Sequence, residues 1–429
     1  MNLTRNERGE LTIRGVSLPS LADAYGTPLF VYDEDEIRSQ CRRFHDSLST
    51  SGLDYTVSYA SKAFSSVQLF RLMNEEAMGL DVVSEGELYT ALASGFPADR
   101  IHFHGNNKTE AEIRYALDAG IEYFVIDSIG EIERIDALAD RDVEVLVRIN
   151  PGVEAHTHEF IQTGQEDSKF GLSIEKGLAL DGISRIQAAE HLVFKGVHFH
   201  IGSQIYDPNG MITTIDKVLR WLHENNIQAD VLNAGGGFSI RYTDEDISYP
   251  IEDGVTRITE TVKNVCAELD YPVPHLSLEP GRSIVGEAGL TLYRVGTVKD
   301  IPDVNTYVSI DGGMSDHIRT ALYDAKYTLQ LANREPEGKE ITTTVAGKLC
   351  ESGDLIAKGI ELPPVEPGDL LAVLSTGAYH YSMASNYNQM LKPAIVFVSG
   401  NDHRLVIRRQ SLEDLLVNEV TDDQLGKTK

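Results

Sequence analysis

Short apolar runs alternate with amphipathic helical stretches from about residue 29 to residue 280 of this 429-residue chain. Near-continuous apolar strands that alternate with helices are typical of a parallel sheet covered on both faces. About eight such units in roughly 250 residues predict an α/β fold of the (β/α)8, or TIM, barrel type. The predicted strands are Tyr55–Ala60, Asp81–Ser84, Ile101–Gly105, Tyr123–Asp127, Val143–Asn150, Val193–Gly202, Val231–Gly237 and Leu276–Glu279.

The rhythm changes after residue 285, where strand patterns follow one another with only short helical patterns between them. A mostly β second domain, a β-barrel or sandwich, is therefore expected. We predict a barrel domain over residues 30–280, and a β domain formed by residues 1–29 together with 281–429. The predicted strands of the second domain are Leu290–Lys299, Thr306–Ile310, Ile341–Val345, Leu370–Leu374, Ala394–Val398 and Arg404–Arg408.

Composition narrows the class of protein. The formal net charge of −28 disfavours binding to nucleic acid or to anionic membrane surfaces, so an anionic ligand needs a locally positive pocket. No apolar run is long enough to span a membrane, and the first 20 residues lack the apolar core of a secretory signal, so we expect a cytoplasmic protein. Three cysteines, Cys41, Cys266 and Cys350, match no zinc or disulfide spacing.

Lys62 follows the strand Tyr55–Ala60 directly, at the end of a barrel strand where active sites lie. A lysine at a buried strand end is either solvated or an amine desolvated enough to form a Schiff base, and sequence alone leaves both open. Another predicted strand ends in His198 and His200, whose side chains point to one face. Ser203 follows and could bind a phosphate.

Three His-x-His pairs also allow a zinc-site interpretation: His102/His104, His156/His158 and His198/His200. No carboxylate or thiolate completes a recognisable ligand set, so no metal is expected.

Two further strand ends carry anion-binding chemistry. Gly235, Gly236 and Gly237 can expose successive backbone N–H groups, which suits a phosphate, although a tight turn explains them equally well. The run from Glu279 to Arg282 supplies a carboxylate, a rigid turn and a bidentate anion binder. In the β domain, Cys350 beside Glu351 indicates either a proton-handling site or a buried thiol next to a solvated carboxylate, and the residues alone leave both open.

Ten motifs, in chain order, resemble those of the alanine-racemase-like (fold type III) pyridoxal-phosphate decarboxylases, and the resemblance covers nearly the whole chain. They are YASKA, GLDVVSEGEL, RINPG, SKFG, HFHIGSQ, NAGGGF, EPGRS, DGGM, CESGD and GAY with SMASNYN. The resemblance implies an enzyme that uses pyridoxal 5'-phosphate (PLP), built as a homodimer with active sites at the subunit interface. A non-catalytic relative of the family would be expected to lack Lys62, Glu279 or Cys350, and all three are present.

The resemblance also implies roles for individual residues. Lys62 would carry PLP as a Schiff base, His200 would stack on its ring, and Glu279 would hold the pyridine nitrogen protonated. Phosphate contacts would come from Ser203, Gly237, Gly281, Arg282 and Tyr379. Substrate contacts would come from Arg282, Arg319, Tyr323, Glu351 and Tyr379, and Cys350 would protonate the product carbon, acting in the neighbouring subunit's site.

The substrate is predicted from two of these residues. Arg319 suits a distal carboxylate, and Glu351 stands where ornithine enzymes carry Asp. Both favour meso-diaminopimelate, decarboxylated to L-lysine and CO2 in lysine biosynthesis; ornithine, arginine or carboxynorspermidine is the alternative. Ser315, His380 and Gln389 depart from the common family pattern. The segment His156–Lys169 has the composition of a mobile lid.

Overall fold

The computed structural model describes residues 1–153 and 168–420. The predicted lid, His156–Lys169, falls outside the described residues except for its last two, and so does the His156/His158 pair. The chain divides into two compact units, residues 37–241 with 245–286 and residues 1–36 with 242–244 and 287–429. No described helix is both long enough and apolar enough to cross a membrane.

The first residues of the chain belong to the unit that also holds the C-terminal third. A small antiparallel sheet is followed by a helix, which Ser17 caps by accepting a hydrogen bond from the backbone of Ser20, and by a fully buried strand. The elements are β1 (Leu3–Arg5), β2 (Leu11–Ile13), β3 (Val16–Ser17), α1 (Leu18–Tyr25) and β4 (Leu29–Asp33).

The other unit is a closed barrel of eight parallel strands, as predicted. The strands are β5 (Tyr55–Ala60), β6 (Gly79–Val82), β7 (Ile101–Phe103), β8 (Tyr123–Ile126), β9 (Val143–Asn150), β11 (Leu192–His198), β12 (Val231–Asn233) and β13 (His275–Leu278), with a short extra strand, β10 (Leu172–Ser173), beside β9. The hydrogen-bonded order is β9-β11-β12-β13-β5-β6-β7-β8, and pairing of β8 with β9 closes the ring.

Helices follow the strands in the expected alternation. They are α2 (Glu34–Ser49), α3 (Val67–Glu75), α4 (Glu85–Ser94), α5 (Glu110–Ala119), α6 (Ile129–Leu138), α7 (Leu178–Ala188), α8 (Asn209–Glu224), α9 (Ile251–Leu269) and the short α10 (Arg282–Val285). Local sequence sets several boundaries. Thr109 and Glu112 form a capping box at the start of α5, and Gly120 ends that helix in the left-handed conformation that glycine adopts without strain.

The C-terminal third of the chain forms a mostly antiparallel sheet around one long strand. β14 (Gly289–Ile301) pairs with β4, with β15 (Asn305–Ile310) and with β19 (Leu370–Val373). The remaining elements are α11 (Arg319–Tyr323), β16 (Leu329–Leu331), β17 (Ile341–Ala346), β18 (Leu355–Leu362), β20 (Ala394–Ser399), β21 (Asp402–Ile407) and α12 (Leu412–Leu415). Apolar side chains on its two faces form separate clusters, one around Leu29 and Leu290 and the other around Tyr293 and Val308.

One boundary differs from the sequence expectation. The strand β4 lies inside the predicted barrel range that starts at residue 30, but it pairs with β14 and β20 in the sheet of the other unit. The physical reason is that the partner strands of β4 lie far away in the sequence. A short apolar run indicates a buried strand but does not indicate which strands it will pair with. The strands β16 and β18 were also not predicted.

Candidate active site

The carboxyl ends of the barrel strands bring together side chains from six positions around the ring. Lys62 follows β5, Glu279 follows β13 and His104 follows β7. Asp81 lies in β6, while His198 and Asn233 end β11 and β12. Because β13, β5, β6 and β7 are consecutive in the barrel, the lysine stands between the two carboxylate-bearing strands. This is the edge at which barrel enzymes build their sites.

Lys62 is exposed and lies in a single helical turn, Ser61–Ala63, directly after β5. The end of the strand is held by backbone, since the amide of Ala60 donates to the carbonyl of Pro280 at 3.2 Å. Glu87 lies nearby and its carboxylate accepts from the backbone N–H of Val83 at 2.7 Å. Burial raises the pKa of Glu87, although a hydrogen bond from Ser61 and the charge of Lys62 oppose that rise.

Glu279 is buried and receives polar contacts on both of its oxygens. Asn233 donates to Oε1 at 2.5 Å and His198 donates from Nε2 to Oε2 at 3.0 Å. His104 places its Nε2 3.0 Å from Oε1. A carboxylate has about four lone-pair sites, so these three contacts leave a position on Oε2 for one more donor.

The two histidines that contact Glu279, His198 and His104, differ in charge. Burial lowers the pKa of His198 to about 4 despite the nearby carboxylate, so His198 is neutral at pH 7. Burial would also lower the pKa of His104, but Glu279 and Asp81 outweigh it and raise the value to about 9. Burial would raise the pKa of Glu279, but the charges and hydrogen bonds of His104 and His198 hold it well below its ordinary value. Glu279 is therefore an anion at neutral pH.

His200 presents a neutral imidazole on the same side of the barrel. Its Nδ1 accepts a hydrogen bond from the backbone of Gly236 at 3.3 Å, which fixes the plane of the ring. Burial, followed by the charges of Lys62 and Arg148, places the pKa of His200 well below its ordinary value. A neutral ring held in one plane is suited to stacking on a flat aromatic ligand.

The glycine run and the arginine form a compact backbone cradle. A side chain at Gly236 would meet the carbonyl of Glu279 at 2.1 Å, and one at Gly237, whose φ is +101°, would meet the carbonyl of Gly202 at 2.5 Å. Arg282 is buried and donates from Nε and Nη2 to the hydroxyl of Ser203, at 3.3 and 3.0 Å. Positive charge, a hydroxyl and close-approaching backbone are the components of an anion site.

Carboxylates do meet the histidine pair of β7, contrary to the sequence expectation. Asp81, His102, His104 and Glu279 place one possible ligand atom each within 4.8 Å of one another. Asp81 comes from the preceding strand, β6, and Glu279 follows the distant strand β13, so no local ligand spacing could indicate the set. His104 already pairs with both carboxylates, which means that a cation bound here would displace an existing positive charge.

The predicted residues of the second unit fall into two groups. Arg319 is buried at the start of α11, where its guanidinium lies over the rings of Tyr323 and Tyr379 at 5.0 and 5.4 Å. Its Nε donates to the hydroxyl of Tyr327 at 3.0 Å. The geometry holds the guanidinium in place through one hydrogen bond and two ring faces.

Cys350 and Glu351 form the second group, on an exposed turn of the same unit. Asp354 organises the turn, because its carboxylate accepts from the backbone N–H groups of Leu349 at 2.7 Å and Met314 at 2.5 Å. Cys350 itself donates its backbone N–H to the side chain of Asn388 at 3.0 Å. The thiol of Cys350 and the carboxylate of Glu351 thus lie on the surface of this unit, on a turn that the buried Asp354 holds in place.

The three departures from the family pattern are placed differently. Ser315 is buried, four residues before Arg319 in the chain, and donates to Asp316 at 3.1 Å. His380 is buried and its ring lies 5.1 Å from that of Tyr327. Gln389 lies in an exposed single turn, Tyr387–Gln389.

Several residues of the barrel site were not predicted from sequence: Asp81, Glu87, His104 as a charged group, and Asn233. Asp81 and Glu87 belong to the GLDVVSEGEL motif, which marked the segment but no individual role. The clearest available signal was Asp81 itself, since a carboxylate within an apolar strand is costly to bury without a partner.

Comparison with known proteins identifies the class first. The family model for the pyridoxal-dependent decarboxylase, pyridoxal binding domain, matches residues 34–286. The diaminopimelate decarboxylase of Staphylococcus aureus (strain COL) is 60% identical over 420 residues, covering 98% of this chain and 100% of the relative. That of Bacillus subtilis (strain 168) is 48% identical, covering 96% and 95%. The chain therefore belongs to the diaminopimelate decarboxylase family of pyridoxal-dependent decarboxylases.

Solved structures agree with this assignment. The crystal structure of diaminopimelate decarboxylase from M. jannaschii in co-complex with L-lysine has a TM-score of 0.92 to this chain, with 35% identity and 99% of each chain covered. The diaminopimelate decarboxylase of Helicobacter pylori complexed with L-lysine has a TM-score of 0.85, with 32% identity and coverage of 93% and 98%. The predicted fold class is confirmed by the eight-stranded barrel and the separate β unit.

Proposed function

We propose that this protein decarboxylates meso-2,6-diaminopimelate to L-lysine and CO2 with PLP as cofactor. The observation that carries the proposal is the full-length identity of 60% to a diaminopimelate decarboxylase, combined with a lysine and an anionic, buried glutamate at the ends of two neighbouring barrel strands. The reaction completes lysine biosynthesis, and L-lysine is the compound with which two of the similar structures were solved.

The barrel residues fit PLP in three respects. Glu279 is ionised and keeps a position on Oε2, so it accepts a proton-bearing pyridine nitrogen. His200 is neutral and fixed in plane, so it stacks on the ring. Ser203, Gly237, Gly281 and Arg282 would form a tight, positively charged cradle for the phosphate. Tyr379 remains the further phosphate contact that the family resemblance implies.

Each residue then has a defined task. PLP supplies an aldehyde that condenses with amines and a protonated ring that accepts the electrons left when CO2 departs. Lys62 would hold PLP through its amine, at the end of the strand Tyr55–Ala60, in a linkage that another amine can replace. Glu279 would keep the pyridine nitrogen protonated, because an anion beside that nitrogen favours its protonated form.

The second unit provides the substrate contacts. Arg319, with Arg282 and Tyr323, binds the distal carboxylate, and Glu351 pairs with the distal ammonium. Cys350 donates a proton to the carbon that has lost CO2. The exposure of Cys350 and Glu351 supports their action in the site of a second copy of the chain, so we propose a homodimer with shared active sites. We also propose that the protein is cytoplasmic.

The test is CO2 release by the purified protein with added PLP, measured with meso-diaminopimelate beside ornithine, arginine and lysine. Selective release from meso-diaminopimelate supports the proposal. Release only from another amino acid would retain the cofactor and Lys62 but overturn the roles of Arg319 and Glu351. No release from any of the four would refute the activity itself.

A further inference from the structure

His104 occupies a position between two buried carboxylates. Its Nε2 lies 3.0 Å from Oε1 of Glu279 and 3.7 Å from Oδ1 of Asp81. The side chains of all three residues are 7 or 8% exposed. The carboxylates come from β6 and from the residue after β13, on either side of the lysine-bearing β5. Closure of the barrel therefore forces two negative groups toward one point.

A carboxylate oxygen of Asp81 lies within 4.8 Å of one of Glu279. Two buried carboxylates this close cannot both stay ionised without a compensating positive charge. The charged and titratable groups around Glu279 come from several strands: Asp81 of β6, His104 after β7, Arg148 of β9, and His198 and His200 at the end of β11. His198 and His200 are neutral at pH 7, and Arg148 pairs with Asp127 at 3.7 Å. His104 is thus the group in direct contact that can carry the charge.

We propose that His104 is a positioning residue of the decarboxylation: as a cation between Asp81 and Glu279, it keeps Glu279 ionised and fixes Oε1, so that the position on Oε2 that His198 leaves can accept a hydrogen bond from a protonated pyridine nitrogen. The proposal rests on the assigned PLP-dependent function and adds to it a residue outside the set that was predicted from sequence. His104 does not touch the reacting atoms; it acts through Glu279.

The pKa values support this arrangement. Burial and the charge of Glu279 raise the pKa of Asp81 to about 6, although His104 opposes the rise, whereas the two carboxylates raise the pKa of His104 to about 9 against burial. At neutral pH the three groups are then an anion, a cation and an anion. Removal of the cation leaves one proton to be shared by Asp81 and Glu279, and a protonated Glu279 no longer favours the pyridinium form.

The experiment replaces His104 by Gln, which keeps a donor of similar size and removes the charge. The holoenzyme of His104→Gln is expected to lose at least about 10-fold in kcat while KM for meso-diaminopimelate changes less than about threefold. The acid limb of its kcat–pH profile moves to higher pH, since Glu279 then needs a higher pH to ionise. The dissociation constant of PLP rises, and the absorbance of the bound cofactor becomes pH-dependent between pH 6 and 8.

His102→Gln is the matched control. His102 is buried in the same strand and its Nδ1 lies 3.6 Å from Asp81, but its Nε2 contacts Glu122 at 3.1 Å rather than Glu279. The acid limb of the kcat–pH profile and the PLP dissociation constant of His102→Gln should match those of the unaltered enzyme. Melting temperatures of both variants are compared, so that a general loss of folding is recognised as such.

A second substitution separates charge from packing. Adding Asp81→Asn to His104→Gln removes the competing carboxylate, so Glu279 should ionise more easily again. The double variant is expected to recover at least about threefold in PLP affinity and to shift the acid limb back, a coupling that independent sites would not show. A packing defect at His104 would instead be made worse or left unchanged.

The outcomes are distinct. An acid limb and PLP affinity in His104→Gln that match those of His102→Gln would overturn the proposal, and so would a double variant without recovery. If the unaltered enzyme releases no CO2 from any substrate, the proposed function fails, while the PLP affinity and absorbance still decide whether His104 governs Glu279.

Discussion

Arg319 donates a hydrogen bond from its Nε to the hydroxyl of Tyr327, which is itself buried against the rings of His317 and His380. The two ring centroids lie 4.7 and 5.1 Å from that of Tyr327. The guanidinium of Arg319 is therefore oriented by a hydroxyl that has little freedom to move. This relationship connects His380, a departure from the family pattern, with a residue proposed to select the substrate.

Tyr327→Phe should weaken substrate binding without abolishing turnover. The change removes one hydrogen bond worth about 1 kcal/mol, so we expect KM for meso-diaminopimelate to rise about fivefold with kcat little changed. Steady-state kinetics measure both constants. Tyr307→Phe, in β15 of the same unit, is the control and should leave KM unaltered.

Arg319→Ala tests the carboxylate contact more directly. Loss of a charge-assisted pair should lower kcat/KM for meso-diaminopimelate by about 100-fold. L-Lysine retains one carboxylate and cadaverine has none, so inhibition by lysine should weaken while inhibition by cadaverine should not. Equal losses for both ligands would show that Arg319 has a structural role only.

Lys62→Ala should abolish the covalent attachment of PLP. It should also lower turnover at least about 1000-fold, because no other amine replaces that of Lys62 in the exchange with the substrate. Absorbance of the lysine-bound cofactor and CO2 release provide the measurement. Lys195→Ala is the matched control, since Lys195 lies in β11 and pairs with Glu144 and Asp230. Retained turnover in Lys62→Ala would refute its assigned role.

Much of the fold could be predicted from sequence because its signals are local. The strand Val143–Asn150 was predicted with both of its ends, and the start of α5 follows from the Thr109 capping box. Residues 30–33 were placed in the barrel range, whereas they belong to β4, whose partners β14 and β20 are more than 250 residues away, and pairing over that distance is decided by the assembled core.

The site was predictable to a similar extent. Lys62, His200 and Glu279 stand at strand ends, where chemistry is expected in a barrel, and resemblance to a known family attached roles to them. His104 was considered only as a metal ligand, because its charge depends on Asp81 and Glu279, which barrel closure brings to it. Contacts that closure creates have no period or spacing in the sequence.

Cys350→Ala should bind PLP normally but slow product formation by about 100-fold to 10,000-fold, as expected for a lost general acid. Cys266→Ala, a substitution of a buried thiol in α9, is the control and should retain activity within about twofold. Unchanged kinetics in Cys350→Ala would assign the proton to another group.

Mixing of two inactive variants tests the shared site. If Cys350 acts in the partner's site, a Lys62→Ala chain and a Cys350→Ala chain together form one intact site in each mixed dimer. Random reassociation should then restore about a quarter of full activity, since half of the dimers are mixed and each has one working site of two. Mixed dimers without any recovery would place both residues in the site of a single chain.

The buried pair of Lys108 and Glu131 should contribute to stability rather than to turnover. Lys108 Nζ lies 2.5 Å from Glu131 Oε1 and donates to the carbonyls of Gly105 and Val125, and both side chains are 1% exposed. Glu131→Gln leaves the ammonium without its counter-charge, so we expect a loss of about 3–5 kcal/mol in the free energy of unfolding. The double variant Lys108→Met with Glu131→Leu should lose less, because no buried charge remains. Urea unfolding of the unaltered protein and the variants measures the difference. Asp181→Asn, in the exposed pair with Arg185, is the control, and its loss in the free energy of unfolding should stay below about 1 kcal/mol.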